Sequence, residues 1–207
     1  MRALAAEPDP PTTVRNPDEA VRQHVADSLS GLELEEVRSA KAIVDIGAGA
    51  GFPGLVLAAA LPRARVDLVE ATRRKVEVIE RLARAAALAN ARAIATRAEE
   101  WGAAAGHESY DLVTARALAP LGVLVEYAAP LLVEGGTLVA WKGARDERDE
   151  RGGAAAAQQL GFEPAGVVRV EPFEGARNRH LHAFRKISPT PPGFPRRPGM
   201  ASKRPLA

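Results

Sequence analysis

The sequence predicts an α/β fold, a mainly parallel sheet with helices on both faces, and three observations predict it. From about residue 42 onward, short β-branched runs alternate with longer stretches of helical periodicity. The links between them are tight, so right-handed crossovers place the connecting helices over the two sheet faces. The first run passes directly into a glycine-rich turn, residues 45–54 (DIGAGAGFPG), and then into an apolar helix.

The elements follow in chain order. Residues 1–15 are rich in proline and alanine, with Pro8, Pro10 and Pro11 close together, and are expected to be a disordered N-terminus. Asn16 then offers a cap, Pro17 suits a first turn and Asp18 and Glu19 favour its positive end. Val21, Val25 and Leu29 recur at four-residue spacing, which predicts an amphipathic helix ending near Gly31. Strands are expected at 42–46, 65–70, 91–96, 110–115 and 136–141, with helices at 53–61, 73–88, 120–132 and about 145–160. Two further apolar runs, 166–170 and 179–184, flank the turn-rich PFEGARN and read as a C-terminal antiparallel hairpin near one sheet edge. The organisation is thus a single domain over 16–187 followed by a basic, proline-containing tail over 188–207, expected to order only against a partner.

Composition narrows the function classes. At 207 residues the chain suits one domain with tails. No apolar run approaches the roughly 18 residues of a membrane span, so no membrane partner and a cytoplasmic location are expected. Without cysteine there are no disulfides, thiolate metal sites or thiol nucleophiles, and His24, His107, His180 and His182 are too scattered to suggest a metal site. The net charge of +2 is unevenly divided: six of the 28 basic residues lie in 185–207, which holds no acid, leaving 22 against 26 acids before it. A basic end on a mildly acidic body suits nucleic-acid contact, and equally a solvated terminus.

The loop carries the most specific chemistry. Gly47, Gly49 and Gly51 allow a sharp turn and let a ligand lie against bare backbone, while Pro53 sets up a helix start at the carboxyl edge of the sheet. Residues 49–54 satisfy the dinucleotide pattern G-x-G-x-x-G, and Glu70 sits near the distance expected of a ribose partner, so NAD is an alternative. Asp45 tilts the reading toward S-adenosylmethionine, because a carboxylate there can meet a cationic amino-acid end or its water but repels a pyrophosphate. Glu70 is positioned to accept both ribose hydroxyls. Thr96 to Glu100 follow the third strand, where the adenine is expected, and Thr114, Ala115 and Arg116 close the fourth strand at the same edge.

Together with this loop, the RAEEW, YDLVTARALAPL, WKG and RNRHL segments and the ending FPRRPGMASKRPLA resemble the small-subunit ribosomal RNA methyltransferase G family, the glucose-inhibited division protein B family. The likeness runs over nearly 14–207. It implies a Rossmann-like class I methyltransferase that moves a methyl group from S-adenosylmethionine to nitrogen 7 of a guanine in 16S rRNA. It places cofactor contacts on Gly47, Phe52, Glu70, Ala98, Glu99 and Arg116, and puts Arg116, Lys142, Arg179 and His180 on the active face. The chain departs from the family before VRNPDE, where an Asn-Leu-Thr stretch is usual and Pro-Pro-Thr-Thr stands here.

The implied acceptor nitrogen has a free lone pair, so catalysis reduces to alignment and needs no base. Arg116 is expected to orient the cofactor carboxylate or the guanine, and Lys142, Arg179 or His180 to meet its carbonyl edge or nearby phosphates. Trp141 and Phe52 are candidates for stacking on a splayed base, with core packing an equal reading for Trp141. The partner is 16S rRNA or a small-subunit particle and the chain is expected to be a monomer. The rivals are a small-molecule methyltransferase, which has no use for the basic groups, and a nucleotide- or RNA-binding module that has lost catalysis.

Overall fold

A computed structural model describes residues 2–7, 10–12, 14 and 16–206. The β-branched runs form seven strands: β1 (Ala42–Ile46), β2 (Arg65–Glu70), β3 (Ala91–Ala95), β4 (Tyr110–Arg116), β5 (Leu132–Lys142), β6 (Phe162–Val170) and β7 (Arg179–Lys186). They lie in one sheet in the order β3-β2-β1-β4-β5-β7-β6. The first five are parallel, and β7 runs antiparallel between β5 and β6. The chain leaves β1 toward β2 and β3, then returns to build β4 and β5 on its other side, so strand order reverses between β1 and β4. Such a switch opens a crevice beyond the carboxyl ends of those strands.

Side chains alternate across the sheet. Val44, Ile46, Val113, Ala115, Leu138 and Ala140 face one core with the helices Leu121–Ala128 and Glu147–Leu160. Ile43, Leu112, Val139 and Trp141 face the other with the helices Gly54–Ala60 and Arg73–Ala85. Every one of these strand residues is at most 5% exposed, as a sheet covered on both faces requires.

Several boundaries shift for local reasons. The helix expected over 73–88 stops at Ala85, since Ala87 has φ +54°. The one expected over 120–132 stops at Ala128, and β5 starts at Leu132 rather than 136. The short helix Ala98–Gly102 was not anticipated. Asn16 caps as expected, its Oδ1 accepting from the backbone N–H groups of Asp18 and Glu19 at 2.9 and 3.1 Å. The helix it starts is irregular: Pro17–Ala20 is α, Val21–Ala26 is a π turn, Asp27–Leu29 is α again and Ser30–Glu33 is 3-10.

Loose ends are expected at both termini, and the described residues there make contacts with the body. In the N-terminal stretch, of which Pro8 lies outside the described residues, Arg2–Ala5 is helical, Leu4 is buried and Glu7 pairs with Arg81 at 2.7 Å. The tail packs back on the body. Arg196 makes a paired contact with Glu126, Nε to Oε1 at 2.6 Å, Tyr127 Oη meets Ser202 Oγ at 3.2 Å, and Ala201 is 1% exposed. Lys186 is fully buried, its ammonium donating to Glu108, the carbonyls of Ala129 and Leu132, and Thr190. The body itself is the partner whose contacts offset the tail's ordering entropy.

Candidate active site

Two cavities meet at the carboxyl ends of β1 and β4. The first, of about 420 Å³, is lined by Gly47, Gly49, Phe52, Glu70, Ala98, Glu99, Arg116, Leu118 and others. The loop that floors it needs its glycines: Gly47, Gly49 and Gly51 have φ of +62°, +59° and +90°. A Cβ on Gly47 would also come within 2.5 Å of Leu118 Cδ1.

Two carboxylates hold this loop. Glu70, 7% exposed at the end of β2, accepts the N–H of Gly49 on Oε2 at 3.0 Å and that of Thr72 on Oε1 at 2.8 Å. Each oxygen keeps a lone pair that faces no described partner, as a ribose diol requires. Asp45 corrects its expected place. It is 1% exposed, beneath the loop and not among the residues lining the cleft, with Oδ2 accepting the Gly54 N–H at 2.9 Å and Oδ1 the Thr114 hydroxyl at 3.0 Å. Burial pushes its pKa up to about 7, against the pull of those two bonds. Gly51 likewise turns the chain without lining the cleft.

This wiring bears on the cofactor. A dinucleotide pyrophosphate is held by free loop and helix N-terminal amides. Here the Gly49 and Gly54 amides are taken by Glu70 and Asp45, and those of Leu55 and Val56 by the carbonyls of Gly51 and Pro53. What the cleft offers is a diol acceptor, bare glycine backbone and apolar walls at Val69 and Leu118, which fits a nucleoside without a pyrophosphate. Glu99, 6% exposed, spends Oε1 on the Gly199 N–H at 2.7 Å, which ties the tail to a wall of the cleft.

The second cavity, about 350 Å³, is lined by Gln23, His24, Asp27, Arg116, Trp141, Lys142, Arg179 and His180, with Ala117. His24, Arg116 and Ala117 line both cavities and form the junction. Ala117, at φ +52°, is one of the few non-glycine residues held in that region. Arg116 donates from Nη1 to Asp27 Oδ2 at 2.9 Å and to the Gln23 carbonyl at 3.2 Å, and its guanidinium carbon lies 5.7 Å from the Phe52 ring centre. It clamps the N-terminal helix over the sheet edge. The His24 ring stacks on Phe52 at 4.8 Å and 11°, with Nε2 2.8 Å from the Thr12 hydroxyl. Burial, then the charge of Arg116, lowers its pKa to about 4, so it is neutral at pH 7.

The remaining expected residues are brought to the same place. Lys142 Nζ pairs with Asp149 at 2.7 Å, His180 Nδ1 lies 2.8 Å from the Gly143 carbonyl, and Arg179 Nε lies 3.6 Å from Asp27 Oδ1. Trp141 is not free to stack on a base. It is 5% exposed, donates from Nε1 to the Asp27 carbonyl at 2.9 Å and lies under Gly31, where a Cβ would come within 2.4 Å of the ring. Sequence reasoning missed Asp27 and gave His24 no role beyond being one of four scattered histidines. The pair stands at i, i+3 on the predicted amphipathic helix, and two titratable groups sharing one helix face were the available signal.

Residues 11–181 match the family model described as rRNA small subunit methyltransferase G. Proteins named ribosomal RNA small subunit methyltransferase G from Chloroflexus aggregans and Rubrobacter xylanophilus are 42% and 39% identical over 198 and 196 residues, covering 94% and 93% of this chain and 82% and 75% of theirs. Among solved structures, Aeropyrum pernix fibrillarin with natively bound S-adenosyl-L-methionine superposes with a TM-score of 0.59 at 21% identity, over 77% of this chain and 72% of its own. A predicted O-methyltransferase from Agrobacterium tumefaciens gives 0.60 at 24%, over 79% and 80%. These structural likenesses concern the fold.

Proposed function

On the premise that the chain belongs to the rRNA small subunit methyltransferase G family, we propose that its two joined cavities hold S-adenosylmethionine and a guanine of 16S rRNA, whose nitrogen 7 takes the methyl group. The protein is an S-adenosylmethionine-dependent rRNA methyltransferase. The observation that carries the site reading is the junction: Arg116, His24 and Ala117 belong to both cavities, so a nucleoside in one and a base in the other meet there.

Bound in the first cavity, the cofactor supplies an electrophilic methyl on a sulfonium centre. Glu70 holds its ribose, Gly47 and Gly49 give close backbone approach, and Phe52, Ala98 and Glu99 form the walls. Nitrogen 7 is unprotonated at neutral pH, so the chain's task is alignment rather than proton removal, worth on the order of several kcal/mol. Arg116 faces the junction with a fixed orientation, because Asp27 and the Gln23 carbonyl anchor one of its nitrogens. Neutral His24 leaves the guanidinium as the positive group between the cavities, where it favours the acceptor edge of guanine. Lys142, Arg179 and His180 complete the base cavity and its phosphate approach. The substrate form is 16S rRNA, free or in a small-subunit particle, and the acting species is a monomer. Among the described residues no helix is long and apolar enough to cross a membrane.

The test is radiolabelled methyl transfer to naked 16S rRNA and to the small subunit, with the labelled nucleoside identified after digestion. Label recovered as 7-methylguanosine is expected; label elsewhere, or none, overturns the reading. Arg116→Ala should lower kcat/KM for RNA by at least about tenfold, the loss expected of a charge-assisted contact. Unchanged turnover would remove Arg116 from the site.

A further inference from the structure

The second cavity contains an acid that the reading above uses only as an anchor for Arg116. Asp27 is 6% exposed, and its two carboxylate oxygens are treated unequally. Oδ2 accepts from Arg116 at 2.9 Å, whereas Oδ1 has no hydrogen-bond partner among the described residues. The nearest cationic donor, Arg179 Nε, lies 3.6 Å away and is itself unpartnered. The carboxylate is held in place from behind: its own backbone carbonyl accepts from Trp141 Nε1 at 2.9 Å and from the Ser30 hydroxyl at 2.7 Å. A buried carboxylate oxygen left without a donor is destabilising, and a polar ligand carrying an N–H into the cavity relieves it.

We propose that Asp27 reads the donor edge of the target base, with Oδ1 accepting the N1–H of guanine and the 2-amino group beside it. The inference rests on the second cavity being the base pocket. Around guanine the polar groups run N7, O6, N1–H, 2-NH2, two acceptors followed by two donors. The cavity offers the complementary pair, since Arg116 lines the junction where nitrogen 7 must meet the methyl group and Asp27, bonded to it at 2.9 Å, lines the second cavity but not the first. Adenine reverses both positions. Its 6-amino group would face the guanidinium and its bare N1 would face the carboxylate, so one charge pair selects guanine at two atoms. Asp27 is thereby a specificity-determining residue, and its ion pair with Arg116 also fixes the cation.

The experiment uses the full chain and an RNA active with it, carrying guanine, 2-aminopurine, 1-methylguanine or 7-deazaguanine at the target position. The wild type should lose on the order of 10- to 100-fold in kcat/KM on 1-methylguanine RNA, although nitrogen 7 is intact. Asp27→Asn should lower kcat/KM on guanine RNA similarly, yet its amide can donate to a bare N1, so the preference for guanine over 2-aminopurine should shrink at least about tenfold. A purely structural role lowers both substrates in parallel, and that result overturns the proposal. If the variant fails to fold, the wild type decides alone: equal efficiency on guanine and 1-methylguanine RNA overturns it. Methylation of 7-deazaguanine RNA, or silence on guanine RNA, overturns instead the reading on which it rests.

Discussion

Between about pH 4 and about pH 7, Asp45 and His24 move stability in opposite directions. The pKa of Asp45 is raised by burial from 3.8 to about 7, so the folded protein binds the extra proton and this stabilisation is lost as pH rises through that window. The pKa of His24 is depressed from 6.5 to about 4, so its contribution is present above 6.5 and lost as pH falls. Urea denaturation at pH 4.5 and 7.5 separates them. Relative to wild type, Asp45→Asn should gain stability toward the higher pH and His24→Gln toward the lower. Glu70 is distinct from both, because it faces the cleft as well as the loop. Glu70→Ala removes the diol acceptor and leaves the amides of Gly49 and Thr72 without theirs. Calorimetry should show affinity for S-adenosylmethionine reduced at least about tenfold, since two charge-assisted bonds are at stake.

At the scale of elements, the two ends of the chain complete a site that the sheet only begins. The helix starting at Asn16 brings His24 and Asp27 over the edge of β4, with His24 inside its π turn at Val21–Ala26 and Asp27, bonded to Arg116, just after it. Single π turns often mark functional positions in this way. The C-terminal segment docks on the helix Leu121–Ala128 through Arg196 and Glu126, whose acid is 3% exposed. Arg196→Ala would leave that carboxylate buried and unpaired, which costs about 3–5 kcal/mol. The loss should appear as a lowered denaturation midpoint. The Gly199 N–H would also be freed from Glu99, so cofactor affinity should fall with stability. A freely hanging tail would give neither effect.

For the whole molecule, the distribution of charge decides how RNA is approached. Of the basic residues in 185–207, Lys186 and Arg196 are spent inside the protein, while Arg185, Arg197, Lys203 and Arg204 remain exposed. Arg197, Lys203 and Arg204 sit on the segment that Gly199 ties to Glu99 in the wall of the first cavity, a placement suited to binding phosphates. Replacing all three with alanine should weaken binding to 16S rRNA and reduce the slope of log K against log salt by about 0.7 to 0.9 for each phosphate that is no longer neutralised. Binding isotherms at several salt concentrations measure this. An unchanged slope would show that these cations do not reach the RNA.

Much of this architecture is legible in the sequence. Alternating β-branched and helical runs determined the parallel sheet, and the glycines at 47, 49 and 51 determined where its ligand loop lies, because both depend on local backbone preference and pattern. Glu70 and Arg116 are legible because they end parallel strands at the carboxyl edge of the sheet, which follows from the topology, whereas Lys142, Arg179 and His180, which line the second cavity, are named only by the family resemblance. Tertiary structure alone decided that Asp45 turns under the loop rather than into the cleft, that Trp141 is core, that the basic tail is part of the body and that Asp27 faces the second cavity. Each of those depends on contacts between residues about nine to 114 positions apart. Side-chain direction and pairing over such separations are settled by packing, which neither propensity nor periodicity encodes.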